Sequence, residues 1–292
     1  MDIVITYVDG NDPVWQRDYE KYTNVPVLRK RFRDWGTLKY LLRGIEVNMP
    51  FIRNVFLVVS HHSQVPAWVC GDNLKVVLHS DIIPAEYLPT FNSTTIEMFL
   101  HRIEGLDEEF LYFNDDIFPV KPCRPEDFFR DGKAVIGMSR HLIASSMYKK
   151  HVRRSDRLAR AALGLPERHC FLRVQHSCIP VLKSQCHEVF GLQRDAVSAT
   201  LSRVRNDRNI NMTFFLSYMF NKHLVVNERL SCKHVSLAAI TLKKLASYIS
   251  EPQRSMLCIN DVKLSEERYM LYRELIINTF EKSFPLKSRF EK

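Results

Sequence analysis

Short apolar runs recur along this chain, the first and fourth closed by acidic and amide residues, separated by segments of helical periodicity, and this alternation restricts the fold most. Residues 2–8 (Asp-Ile-Val-Ile-Thr-Tyr-Val) are β-branched and aromatic, the composition of a buried strand. Asp9-Gly10-Asn11-Asp12-Pro13 then closes the run with turn-forming residues. Residues 55–60 and 74–79 repeat the composition, and 110–113 run straight into Asn114-Asp115-Asp116. Within 34–47, Leu38, Leu41, Leu42 and Ile45 fall at helical spacing. Residues 92–104 read as another helix, with Asn92 or Ser93 as its cap. Strands alternating with helices predict βαβ units and a mostly parallel sheet. Ligands of such sheets gather at the carboxyl ends of strands, where Asp9 and Asp115-Asp116 are expected.

Further along, residues 140–173 turn basic and irregular, reading as an insertion or a segment facing an acceptor. Segments 171–190, 196–203 and 212–221 read as mainly helical, and 264–284 as a terminal helix capped by Ser265. The expectation is a single domain over 1–292: a core at 1–139, a basic variable insertion at 140–172, and the remainder of the domain at 173–292. Apolar residues make up 46%, too many for a disordered chain. No apolar stretch approaches the roughly 20 residues of a membrane span. The sequence enters directly as a strand, so no secretory leader is expected. Seven cysteines, an odd number without C-x-x-C spacing, argue against a disulfide framework and a zinc site and for a reducing cytosol. The formal charge of +9 suits polyanionic partners: nucleotides, phosphorylated glycans, anionic membrane or nucleic acid. The basic run from Lys149 to Arg160 lacks the interleaved aromatics of a nucleic-acid surface, so no nucleic acid is expected. Phosphate-loop, dinucleotide and serine-elbow motifs are all missing.

Several residues could carry chemistry. Asp115 and Asp116 could hold a divalent cation on the phosphates of a nucleotide sugar, or simply form a turn. The same choice applies to Asp9 and Asn11, as ligands of a nucleotide or as turn residues. Residues 89–97 deliver a hydroxyl-rich helix start, which attracts phosphate, with Glu97 one turn in and Arg102 as a candidate partner for it. His176, ahead of Pro180 and a predicted helix start, suits general acid or base work. Residues 203–208 offer guanidinium groups able to clamp phosphate. Cys258-Ile-Asn-Asp261 ends either in a turn or in a third carboxylate site.

The order and wording of these segments resemble the Stealth family. The first block is similar to residues 2–15, and the second to Arg31-Phe-Arg-Asp34, Leu41-Leu-Arg43 and Gln64-Val-Pro-Ala-Trp68. That block continues through Leu88-Pro-Thr-Phe-Asn-Ser93, Glu97, His101-Arg-Ile-Glu-Gly-Leu106 and Phe113-Asn-Asp-Asp-Ile-Phe118. The third resembles Gln175-His176, Pro180-Val-Leu-Lys-Ser184, Arg205 and Asn211. The fourth resembles Cys258-Ile-Asn-Asp261 and Phe284-Pro-Leu-Lys-Ser-Arg-Phe-Glu291. Trp35, His61-His62 and Asn209 depart from the usual pattern and bear on donor-sugar identity.

The resemblance implies an α/β fold, with a mostly parallel sheet, a Rossmann- or GT-A-like nucleotide-sugar-binding core and helical C-terminal elaboration. It implies transfer of a hexose-1-phosphate or N-acetylhexosamine-1-phosphate from a nucleotide sugar to a polysaccharide acceptor. Bacterial members build phosphodiester-linked capsules, and animal relatives include the lysosomal-enzyme N-acetylglucosamine-1-phosphotransferase. The implied catalytic residues are Glu97, Asp116, His176 and Arg205. Implied donor contacts are Asp9, Asn11, Asp34, Arg43, Asn92, Arg102 and Asn114. Asp115, Asp116 and Asp261 are the implied ligands of Mg²⁺ or Mn²⁺. The implied location is the cytoplasm, with peripheral contact at the inner face of the membrane. The rivals are a conventional glycosyltransferase that releases a nucleoside diphosphate, a basic nucleic-acid-binding module using the run from Lys149 to Arg160, and a non-catalytic assembly scaffold.

Overall fold

The structure, a computed structural model, describes residues 1–27 and 29–292. Strand β1 (Asp2–Thr6) leads through α1 (Pro13–Tyr22) and α2 (Leu38–Asn48) to β2 (Val55–Val59) and β3 (Leu74–Leu78). A short α3 (Ser93–Glu97) precedes β4 (Glu109–Asn114), which turns directly into β5 (Ile117–Pro119). Next come β6 (Met138–His141), α4 (Met147–Ala162), β7 (Phe171–Val174), β8 (Ile179–Leu182) and α5 (Lys183–Leu192). They are followed by α6 (Thr213–Asn221), β9 (Cys232–Ser236), α7 (Leu242–Ser250), β10 (Met256–Asn260) and α8 (Glu266–Ser283).

The central sheet has the order β8–β4–β1–β2–β3. β1 pairs parallel with β2 and β4, and β2 with β3, as expected for an α/β fold. β2 is buried along its whole length and β1 nearly so, because helices cover both faces of a parallel sheet. β8 pairs antiparallel at the edge, a position that tolerates Pro180 and its missing N–H. α2 buries Leu38, Leu41, Leu42 and Ile45, the stripe read from its periodicity. A second sheet, β9–β10–β5, starts where β4 ends: β10 runs parallel to β9 and antiparallel to β5. The two sheets therefore meet at Asp115-Asp116.

Four expectations are corrected. Residues 171–190 are two strands and one helix, because short apolar segments serve a strand as well as a helix and pairing with β6 and β4 decides. Residues 140–173 are not irregular. Ser146 caps the sixteen-residue α4 there, and α4 buries His151, Val152, Ser155, Asp156 and Ala159. The helix expected over 92–104 ends at Glu97, and a separate 3₁₀ turn covers Leu100–Arg102. Within 196–203, helix extends only to Ser198, at the end of a segment starting at Arg194. The C-terminal half thus mixes strands with helices. Ser265 does cap α8, its hydroxyl accepting from Arg268 N at 3.3 Å.

Candidate active site

A cavity of about 360 Å³ opens at the carboxyl ends of β1 and β4, and Asp34, Asn114, Asp115, Asp116 and Asp261 line one side of it. Local structure aims them there. Gly36 N donates to Asp34 Oδ1 at 2.9 Å, and Trp35 Nε1 donates to Asp261 Oδ2 at 3.1 Å. Ile259 N donates to the Asp116 carbonyl at 2.9 Å, fastening β10 to the tip of β4. Gathering the carboxylates is electrostatically costly. Burial, then Asp116, Asp34 and Asp261, push Asp115 up to about 8. Burial, with help from Asp9, also raises Asp34. Tyr7 lies among them, and burial and the surrounding acids hold its hydroxyl protonated well above its ordinary range. Among the described residues, Asp116 Oδ1 is buried without a hydrogen-bond partner. An all-oxygen donor set with an orphaned buried oxygen fits a hard divalent cation.

Part of the lining is cationic. Arg205 donates to the Ser93 hydroxyl at the start of α3 and lies close enough to Arg31 to depress its pKa, after burial. Both guanidinium groups line the cavity. An aromatic cluster of Trp15, Tyr19, Phe32 and Phe91 fixes the short helical turn that carries Arg31. Gly10 is needed for this approach: a Cβ there would sit 2.4 Å from the Phe32 carbonyl oxygen, to which Gly10 N donates at 2.7 Å. Phe91 N in turn donates to the Arg203 carbonyl at 2.8 Å, drawing the Arg205 loop inward. Behind Arg205 lies Glu97, which accepts from Met212 N at 2.7 Å and is pushed by burial to about 7.

His176 stands at the edge of the carboxylates, Nε2 3.7 Å from Asp116 Oδ2. Burial works against its imidazolium, but Asp116 outweighs that and raises the pKa above its ordinary value. Cys258 Sγ approaches the same Asp116 oxygen at 3.6 Å.

Not every residue expected at the site reaches it. Arg43 is almost fully buried in a clamp, donating to Glu291 Oε2 at 2.8 Å, Glu281 Oε1 at 3.2 Å and the Phe284 carbonyl at 2.8 Å. That clamp pins the C-terminal segment to α2 and leaves no group for a donor. Asn92 is fully buried, capping α3 through Thr94 N at 3.2 Å and holding Asn209 at 3.2 Å. Arg102 lies over the rings of Phe99 and Phe190, outside the cavity wall, and Arg205 rather than Arg102 is the cation acting on Glu97. Asp9 uses Oδ1 to accept from Asn11 N at 2.8 Å, so these two form the turn that closes β1, while the Asp9 charge still reaches Asp34 and Tyr7. Asn11 is exposed and does not line the cavity. Conversely, Arg31 and Tyr7 belong to the wall without having been singled out, their only signal being membership in segments quoted for family wording, and Ser93, a candidate cap in the sequence, instead holds Arg205 there.

The basic run 149–160 has a structural task. His151 Nε2 lies 2.6 Å from the Asn206 carbonyl, Lys150 Nζ 2.6 Å from Asp207, and Arg154 donates to the Asp207 carbonyl. α4 therefore grips the loop that presents Arg205.

The mostly parallel sheet with its site at the strand ends is a GT-A-like fold. The chain aligns with an active-site mutant of LgtC at a TM-score of 0.50 and 11% identity, covering 95% of this chain and 96% of that one. That likeness is one of fold alone. Residues 31–136 match the family model described as Stealth protein CR2, conserved region 2. The chain is 30% identical to the capsular polysaccharide phosphotransferase WcwK of Streptococcus pneumoniae, covering 100% of this chain and 99% of that protein. It is 29% identical to the exopolysaccharide phosphotransferase cps2G of Lactiplantibacillus plantarum, covering 100% and 96%. It is 31% identical to the capsular polysaccharide phosphotransferase fcs1 of Haemophilus influenzae, covering 92% and 80%. The chain belongs to the Stealth family of polysaccharide phosphotransferases.

Proposed function

We propose that this transferase moves a hexose-1-phosphate or N-acetylhexosamine-1-phosphate from a nucleotide sugar to a glycan hydroxyl, leaving a phosphodiester in a capsular or exopolysaccharide. One observation carries the reading: a single cavity is lined by a carboxylate cluster and by Arg31 and Arg205, with His176 beside Asp116. Phosphoryl transfer asks chiefly for positioning and charge neutralisation, which such a site supplies. Arg205 and Arg31 bind the donor pyrophosphate, and Ser93 orients Arg205. His176 Nε2 takes the proton of the acceptor hydroxyl as its oxygen attacks the phosphorus attached to the sugar. The bond from that phosphorus to the bridging oxygen breaks, and the nucleoside monophosphate leaves. Asp115, Asp116 and Asp261 would hold Mg²⁺ or Mn²⁺, whose charge neutralises the pyrophosphate when bound. Glu97 acts behind Arg205 as a positioning residue.

All seven cysteines are unpaired, which supports a reducing compartment such as the cytoplasm. Among the described residues no helix is long and apolar enough to cross a membrane. Contact with the inner membrane face would then be peripheral. The test is a panel of nucleotide sugars with Mg²⁺ and an acceptor glycan, with the released nucleotide identified by mass spectrometry. UMP or CMP is the expected product. UDP or CDP would overturn the reading in favour of sugar transfer. Wild-type turnover by an Asp116→Ala, His176→Ala double variant would remove the proposed site.

A further inference from the structure

On the flank of Asp116, away from the all-oxygen cluster, softer donors converge. β9 and β10 run parallel with His234 opposite Cys258, so both side chains leave the same face of that sheet. The turn before β8 brings His176 to the same place, its ring centroid 5.3 Å from that of His234. One donor atom from each of His176, His234 and Cys258 lies within 4.8 Å of the other two. Asp116 Oδ2 completes the group, 3.7 Å from His176 Nε2 and 3.6 Å from Cys258 Sγ. Zinc bonds of about 2.0–2.3 Å put tetrahedral ligands roughly 3.3–3.8 Å apart, so two edges already have the right length. The edges among His176, His234 and Cys258, at most 4.8 Å, need to contract by up to about 1.5 Å, and His234 is exposed.

We infer that His176, His234, Cys258 and Asp116 form a site for a thiophilic divalent cation such as Zn²⁺, and that its occupancy blocks transfer. Two imidazole nitrogens, a thiolate and a carboxylate are donors that zinc takes and Mg²⁺ avoids. Binding balances by release of the Cys258 proton to solvent, while the imidazoles bind through neutral nitrogens. Zinc would occupy the lone pair of His176 and one oxygen of Asp116, so its blocking role rests on the function proposed above, whereas its binding does not. Cysteine spacing argued against zinc because these donors stand at positions 116, 176, 234 and 258, and only strand pairing unites them.

The site is tested on the full chain with Co²⁺ as a spectroscopic probe and Zn²⁺ as its competitor, in magnesium-free buffer. The wild type is expected to show tetrahedral cobalt bands with a thiolate-to-cobalt charge-transfer band, displaced by one equivalent of Zn²⁺. Cys258→Ser should abolish the charge-transfer band. His234→Ala, exposed and outside the transfer machinery, should weaken zinc about tenfold or more. It should also raise the inhibitory zinc concentration by the same factor and leave basal turnover unchanged. No charge-transfer band in the wild type, or zinc affinity unchanged in both variants, overturns the site. Zinc binding without inhibition leaves the metal site standing and overturns the blocking role. The nucleotide-release test of the function is independent of either result.

Discussion

The parallel sheet of β1–β4 and the α4–α6 region bury their contact surfaces with opposite chemistry. In the sheet, buried positions are Ile, Val, Leu, Phe and Tyr112, and the acidic and amide residues sit at strand ends. In α4, three of the five buried residues are His151, Ser155 and Asp156. Asp156 takes Arg168 at 2.7 Å and the Ser217 hydroxyl at 2.5 Å, while Ser155 bonds Asn211. Apolar burial leaves a period in the sequence, whereas satisfied polar burial leaves none. Both regions nevertheless serve the site: the sheet delivers carboxylates, and α4 holds the arginine loop.

That division can be broken from either side. Asp116→Ala strikes the carboxylate face. We expect nucleotide release to fall roughly 10³-fold, with thermal stability unchanged or higher because Asp115 loses a repelling neighbour. A large drop in Tm would make Asp116 a folding residue instead. Asp156→Ala strikes the polar core of α4 and leaves the Arg168 guanidinium half-buried without its partner. The expected loss is about 3 kcal/mol in urea unfolding, and a change within error would show that α4 is not held through this pair. Arg205→Lys keeps the charge but removes the guanidinium fork. We expect kcat/KM to fall about 10²-fold with unchanged stability, and activity equal to wild type would remove Arg205 from phosphate binding.

The smallest effect concerns pH and sharpens the comparison at Glu97, where the two regions touch. Burial raises this acid from 4.5 to about 7 in the folded protein. A raised folded pKa means the neutral form is favoured by folding, so its contribution is full below about 4.5 and is lost as pH rises through about 7. In metal-free buffer, wild-type Tm should therefore decline relative to Glu97→Gln across that window. Glutamine still accepts the Met212 N–H, so parallel curves for the two proteins would show that Glu97 ionises without cost.

Residues 2–114 made the sheet legible because each strand is a short run rich in β-branched, leucine or aromatic residues, and Asp115-Asp116 stood at the end of one. Asp9 was equally conspicuous, yet its carboxylate accepts from Asn11 N within its own turn and Gln64 binds its backbone. Arg43 and Asn92 matched family wording but serve packing, and no residue type distinguishes a buried clamp from a ligand contact before the partners are known.

Composition and periodicity alone determined a parallel α/β core, acids at its strand ends and a capped terminal helix. Those properties depend on neighbours within a few residues, through backbone preference and one-sided burial. The tertiary structure alone decided that Arg31 faces Arg205, that α4 is ordered by polar contacts, and that His176, His234 and Cys258 surround Asp116. Such meetings depend on strand register and on partners far away in the chain, which local chemistry does not encode.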